Sequence, residues 1–168
     1  DATAIEGLRL IYPNLPIVYN EPSNLEARGK MLVGSCLAGI SFLKGLGFVH
    51  AISHMVGAEF DTQHGLTNAI VLPSVLKYNQ HVMDKKIPIM SEAMGLQKND
   101  FDNFYQSICD LLDQLDIPKN LSEIVVEASS VERLAEKALK DSAFATNPRT
   151  ASLEEMVDLI NISMNKGR

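Results

Sequence analysis

Gly47-Phe48-Val49-His50-Ala51-Ile52-Ser53-His54-Met55-Val56-Gly57-Ala58-Glu59-Phe60-Asp61-Thr62-Gln63-His64-Gly65 is the stretch on which the reading of this chain turns. It carries three of the chain's four histidines within fifteen residues. His50 and His54 stand four apart, the spacing that puts two side chains on one face of a helix. A polar break from Asp61 to Gly65 follows, and Gly65 offers a sharp turn into a further helix. Helix, break and helix together bring His50 and His64 to the mouth of a helical bundle. Imidazole is the commonest metal ligand and the side chain most readily tuned for proton transfer near neutral pH. Two neutral nitrogen donors suit Zn, Fe, Ni or Cu. A zinc-protease helix needs Glu directly after the first His, and Ala51 stands there. A catalytic metal usually takes a third protein ligand. The acidic candidates Asp1, Glu59 and Asp61 read as ordinary surface charges, and His81 as a surface residue. Residue types and spacing alone therefore leave three readings open: a metal site, a catalytic site, or packed helical histidines.

Helical signals continue on both sides. Ile5, Leu8, Ile11 and Tyr12 recur at helical spacing, which predicts a helix from Asp1 to Tyr12, stopped by Pro13 and Pro16. Ser23–Glu26, Ser129–Glu132 and Ser152–Glu155 have the form of capping boxes. After the first box, Leu25, Met31, Leu32, Cys36, Leu37 and Ile40 mark an expected inner stripe. Gly34, Ser35, Ala38 and Gly39 imply a close helix neighbour, and Gly45 and Gly47 end the segment. Further helices are expected over Phe48–Glu59, Leu66–Met83 (kinked or restarted at Pro73), Lys86–Gly95, a segment capped by Asn99 or Asp100 and running to Leu115, Ser122–Ala128, Ser129–Ala143, and Ser152–Met164. No run alternates with period two. The predicted fold class is all-α, a multi-helix bundle of about eight helices.

Bulk properties narrow the function. The 168 residues are 46 % hydrophobic, enough for one domain with a sizeable core. Net charge is −6. Lys and Arg are scattered rather than clustered, which argues against a nucleic-acid surface. No apolar run has the length of a membrane span. Cys36 and Cys109 lie in apolar helical patterns and read as reduced and buried, and with no leader-like segment the expected setting is cytoplasmic. The chain starts without Met and already at helical spacing, so it is expected to begin inside a larger protein.

Phe42-Leu43-Lys44-Gly45-Leu46-Gly47, His50-Ala51, His54, Gly57-Ala58, Asp61, His64-Gly65, Asn68-Ala69 and Pro73 together resemble the signature of the iron-containing (group III) alcohol dehydrogenases. Leu139, Asp141 and Thr146-Asn147-Pro148-Arg149 resemble that family's C-terminal signature. The resemblance implies a two-domain enzyme that interconverts alcohols and aldehydes or ketones by hydride transfer. Its N-terminal domain binds NAD or NADP through a glycine-rich loop. Its C-terminal domain is all-α and resembles the helical domain of dehydroquinate synthase. By the family motif, residues 1–168 are the single metal-binding helical domain. His50 and His64 match two of four ligands of a divalent metal, Fe2+ or else Zn2+, and His54 matches the non-ligand histidine beside nicotinamide and substrate. The family's first two ligands, an Asp and a His four residues later, have no counterpart in this chain. Nor has the glycine-rich loop. The expected partners are the nucleotide-binding domain, a small alcohol or aldehyde, and further copies of the protein. The alternatives are a non-catalytic helical module and a metal-binding protein using His50, His54 and His64 together.

Overall fold

The computed structural model describes residues 1–165 and 167. Eight α-helices follow one another among them: α1 (Ala2–Asn20), α2 (Leu25–Ser41), α3 (Gly47–Phe60), α4 (His64–Met83), α5 (Ile87–Ala93), α6 (Phe101–Gln114), α7 (Val131–Ala138) and α8 (Leu153–Asn165). Short 3-10 turns occupy Phe42–Lys44, Leu121–Ile124, Ala128–Ser130 and Phe144–Thr146. The expected all-α class is what forms. No single helix among the described residues is long and apolar enough to cross a membrane. The chain divides into two compact units, Asp1–Lys44 with Met83–Leu115, and Gly45–Val82 with Asp116–Arg168.

In the first unit α1 packs along α2, with α5 against α1 and α6 against α5. The crossing of α1 and α2 depends on two glycines. A Cβ on Gly7 would stand 3.1 Å from the Gly34 carbonyl oxygen, and one on Gly34 would stand 2.8 Å from Ile11 Cγ1 and 3.2 Å from Leu10 Cβ. Small residues here let two backbones approach closely, as the sequence implies for Gly34 and Ala38. Gly39 has no such neighbour.

Three expectations fail in this unit. Pro13 and Pro16 do not stop α1, which runs through both to Asn20. A proline φ fits the helix, and packing along α2 outweighs the lost backbone bonds. The cap of α2 is Asn24 rather than Ser23: the Asn24 side chain accepts from Ala27 N at 3.0 Å. The expected inner stripe of α2 is mostly outward-facing, with only Met31 and Leu37 half-buried. Leu25, Leu32 and Ile40 are exposed, as is Cys36. The buried face is the one with Ala27 and Gly34, since only small residues fit beneath α1. Cys109, in α6, is buried as expected.

The second unit holds a continuous core. Phe48, Ile52 and Val56 of α3 meet Ile70, Val71 and Val75 of α4, Leu134 and Ala138 of α7, and Met156 and Ile160 of α8. Phe48 stacks on Phe144 with ring centroids 4.9 Å apart. Pro73 is fully buried inside an unbroken α4, so the helix does not restart there. Ser152 forms the expected box: Glu155 N donates to its Oγ at 3.2 Å, and Ser152 N donates to Glu155 Oε2 at 2.8 Å. Ser129–Glu132 forms none: Ser130 rather than Ser129 is the N-cap residue of α7, and Ser129 Oγ donates to Glu127 Oε2 at 3.3 Å. The segment expected as a helix over Ser122–Ala128 is broken by Val125 at φ 67°.

The two α2 glycines separate packing from propensity. Gly34→Ala is expected to destabilise the chain by about 1–3 kcal/mol through overpacking. Gly39→Ala, in the same helix with open space around it, is expected to stabilise it by about 0.5–1 kcal/mol. Urea unfolding midpoints of the two variants check both signs.

Candidate functional site

The site is built in the second unit, and it starts with how α3 is launched. Gly45 (φ 101°) and Gly47 (φ 74°) hold backbone conformations that L side chains rarely adopt. A Cβ on Gly45 would also collide with Thr146, 2.2 Å from its Cβ. That close approach places Thr146 Oγ1 to accept from Leu46 N at 3.1 Å and Gly47 N at 3.3 Å. Asn147 Oδ1 accepts from Phe48 N at 3.2 Å. The first amides of a helix have no intrahelical partner, so a segment a hundred residues away caps α3. Asn147 is itself held by Asn79 of α4, with reciprocal bonds of 3.0 and 2.9 Å, and it donates to the Arg149 carbonyl at 2.7 Å. Arg149 lies over the Tyr78 ring, 3.8 Å from its centroid, and donates to the Tyr78 carbonyl at 2.8 Å.

The far end of α3 turns through Asp61, at φ 52° in the left-handed region, a conformation that Asp tolerates. Gly65 does not make the turn: it lies within α4, which begins at His64. Gln63 Oε1 accepts from Leu66 N at 2.5 Å and satisfies one of the first amides. Glu59 is no site residue. Arg133 donates from Nε to both its carboxylate oxygens at 3.1 Å, and Lys137 donates at 3.2 Å. The Arg133 bonds, above all, bring the Glu59 carboxyl down to about 2. His81 is exposed in the last turn of α4, as expected.

This turn brings the three histidines together. Ring centroids are 5.7 Å apart for His50 and His54, 5.2 Å for His50 and His64, and 5.5 Å for His54 and His64. One side chain joins two of them. Asn68, one turn into α4, places its Nδ2 3.3 Å from His50 Nε2 and 3.0 Å from His64 Nε2. Its Oδ1 accepts from the buried Ser53 hydroxyl at 2.5 Å. An amide NH2 only donates, so both Nε2 atoms face it as acceptors. Each ring then carries its proton on Nδ1, which leaves Nε2 with the lone pair that a metal takes. The two lone pairs converge on one small region, and this donor set fits a divalent ion. Among the described residues, no group of three or more His, Cys, Asp or Glu side chains is arranged to hold a metal. That counts against a site made by all three imidazoles.

His54 is held differently. Its Nδ1 lies 3.1 Å from Asp141 Oδ2, while Asp141 Oδ1 accepts from Ala143 N at 2.8 Å. Burial holds the His50 imidazole below its ordinary 6.5, with the neighbouring His64 and His54 adding to the effect; a backbone bond to Leu46 and the Asp141 charge oppose it. The sequence marked His50, His54 and His64 but gave no role to Asn68, Ser53 or Asp141. Asn68 had a legible signal, since it stands four residues after His64 on the same helix face.

The Fe-containing alcohol dehydrogenase C-terminal family model matches residues 1–164. The chain belongs to the iron-containing alcohol dehydrogenase family. The matched region is the helical C-terminal domain of those enzymes. The probable alcohol dehydrogenase EutG of Escherichia coli (strain K12) is 34 % identical over 160 residues, covering 95 % of this chain and 40 % of EutG. The 1,3-propanediol dehydrogenase of Citrobacter freundii is 34 % identical over 166 residues, covering 95 % of this chain and 43 % of that enzyme. The crystal structure of a 1,3-propanediol oxidoreductase superposes with a TM-score of 0.93 at 33 % identity, over 98 % of this chain and 45 % of that one. The chain thus spans less than half the length of these iron-type relatives.

Two outcomes check the geometry. Asn147→Ala removes the cap of α3 and leaves the buried Asn79 short of a partner. It is expected to cost about 2–3 kcal/mol in urea unfolding. His50 titrates lower in the fold than its ordinary 6.5, so the folded state binds fewer protons than the unfolded chain. The stability this contributes is present above 6.5 and is lost as pH falls through the folded value. Unfolding midpoints measured from about pH 8 down to about pH 5 should therefore decline less steeply for His50→Gln than for the unmodified chain.

Proposed function

We propose that residues 1–168 are the metal-binding helical domain of an NAD- or NADP-dependent alcohol dehydrogenase, with His50 and His64 as two of the metal's ligands through Nε2. The observation that carries this reading is the convergence of those two Nε2 atoms on the single Asn68 amide nitrogen, at 3.3 and 3.0 Å. The ion is Fe2+, with Zn2+ the alternative, since imidazole nitrogen accepts either. A nucleotide-binding domain supplies the remaining Asp and His ligands and the cofactor. Held by His50 and His64, a metal would supply Lewis-acid polarisation of the alcohol oxygen, and a bound nicotinamide would supply the hydride acceptor. His54 would stand beside nicotinamide and substrate and take up the proton that the alcohol oxygen releases. Burial and its ring neighbours favour the neutral state of His50, the state that ligation requires.

The substrate is a small alcohol or its aldehyde, in keeping with the names of the relatives. The setting is cytoplasmic. The partners are the nucleotide-binding domain and further copies of the chain. The exposed apolar side chains of α2, Leu25 and Leu32 (82 and 74 % exposed), and Leu43 in the turn that follows it (95 %), support association.

A calorimetric titration of the 168-residue chain with Zn2+ tests the ligand assignment. Weak binding is expected. It should fall by more than about tenfold in His50→Ala and in His64→Ala, and hold within about twofold in His54→Ala. Equal loss in all three variants would favour a three-imidazole site. Turnover of a small alcohol by this chain alone, with NAD and metal, would overturn the division of labour between domains.

A further inference from the structure

We propose that Asp141 is the positioning residue of His54: its carboxylate keeps the ring proton on Nδ1 and leaves Nε2 bare. His54 lies on α3 and Asp141 follows α7, 87 residues apart in sequence, so no helical repeat accounts for the pairing. The Nδ1–Oδ2 distance is 3.1 Å, and the Asp141 side chain is only 12 % exposed against 35 % for His54. A carboxylate can only accept, so a neutral His54 must donate to it from Nδ1. The carboxylate is not free to turn. Its other oxygen takes the Ala143 amide at 2.8 Å, closing a local Asp turn after α7. Backbone bonds from Phe144 N to the Asp141 carbonyl (3.0 Å) and from Asp141 N to the Ala138 carbonyl (3.2 Å) fix the turn itself. One oxygen anchors the side chain and the other addresses the imidazole.

The consequence for chemistry rests on the reading above that His54 stands at the reacting atoms. When hydride leaves the alcohol carbon for the nicotinamide, the hydroxyl proton passes to the lone pair of His54 Nε2. The imidazolium formed keeps its Nδ1–H on Asp141, whose negative charge stabilises it. Reduction of the aldehyde runs the same transfers in reverse. Asp141 acts through His54.

The test reads the tautomer directly. In the 15N-labelled chain, at a pH well above the imidazole range, long-range proton–nitrogen correlations distinguish a proton-bearing ring nitrogen from a bare one. The unmodified chain should show His54 with Nδ1 protonated and Nε2 bare. In Asp141→Asn the single remaining oxygen stays with the Ala143 amide, and the NH2 group faces His54. Because that group only donates, Nδ1 must accept, and the proton moves to Nε2. The two His54 nitrogen signals should exchange character while far-UV circular dichroism is unchanged. The same substitution at the Asp–His pair of a serine protease leaves geometry intact and lowers turnover about 10⁴-fold through the wrong tautomer. A bare Nδ1 in the unmodified chain, or an unaltered pattern in Asp141→Asn, overturns the proposal. Should that variant fail to fold, the unmodified chain's spectrum still decides. Absence of Zn2+ binding would count against the ligand reading and leave the tautomer result standing.

Discussion

The arrangement of the site depends on how the N-terminus of α3 is satisfied. Its first amides are met by the Thr146 hydroxyl and the Asn147 carbonyl oxygen rather than by a residue of the preceding turn. A helix end buried without such partners is costly. The acceptors therefore fix where α3 begins and how it is rotated, and so which way His50 and His54 face. Asn79 ties the same acceptor residue to α4, the helix that starts with His64. Two helices that carry histidines thus share one anchor, and the glycines at 45 and 47 exist to let that anchor come close.

Beyond the anchor, the polar groups form a directed chain. The Ser53 hydroxyl donates to Asn68 Oδ1, which aims the Asn68 NH2 at His50 and His64. Those two rings must accept at Nε2. Asp141 sets the third ring by accepting at Nδ1. Three imidazoles a little over 5 Å apart would repel if charged. Burial of His50, with His64 and His54 beside it, favours the neutral form of that ring. The same bonds that hold the cluster together therefore also choose which ring nitrogen of each histidine is left bare.

Much of this was legible in the sequence, and the reason lies in periodicity. His50 and His54 at helical spacing, with His64 past a polar break, predict the clustering that the turn at Asp61 delivers. The apolar periods predict the helices of the core. The failures share a different cause. α2 carries apolar residues on several faces, so its pattern does not say which face is covered; the space left by Gly7 and Gly34 decides that. Pro13 and Pro16 carry a local penalty that packing along α2 overrides. The second capping box fails because α7 starts one residue later than that box requires, and the Ser129 hydroxyl turns to Glu127. Asp141 and Asn147 act on residues 87 and 99 positions away, a relation that no local spacing encodes.

The left-handed turn at Asp61 has a consequence for the order in which the site is made. Because His50 and His64 lie on one helix–turn–helix only fourteen positions apart, bringing them together costs little chain entropy beside the long loops closed elsewhere. The pair is of low contact order and can form while most of the chain is still unpaired. The cap from Thr146 and Asn147 and the Asp141 carboxylate arrive across long loops and must come later. The histidines are thus gathered first and given their orientation and protonation afterwards, when the distant segment closes over the start of α3.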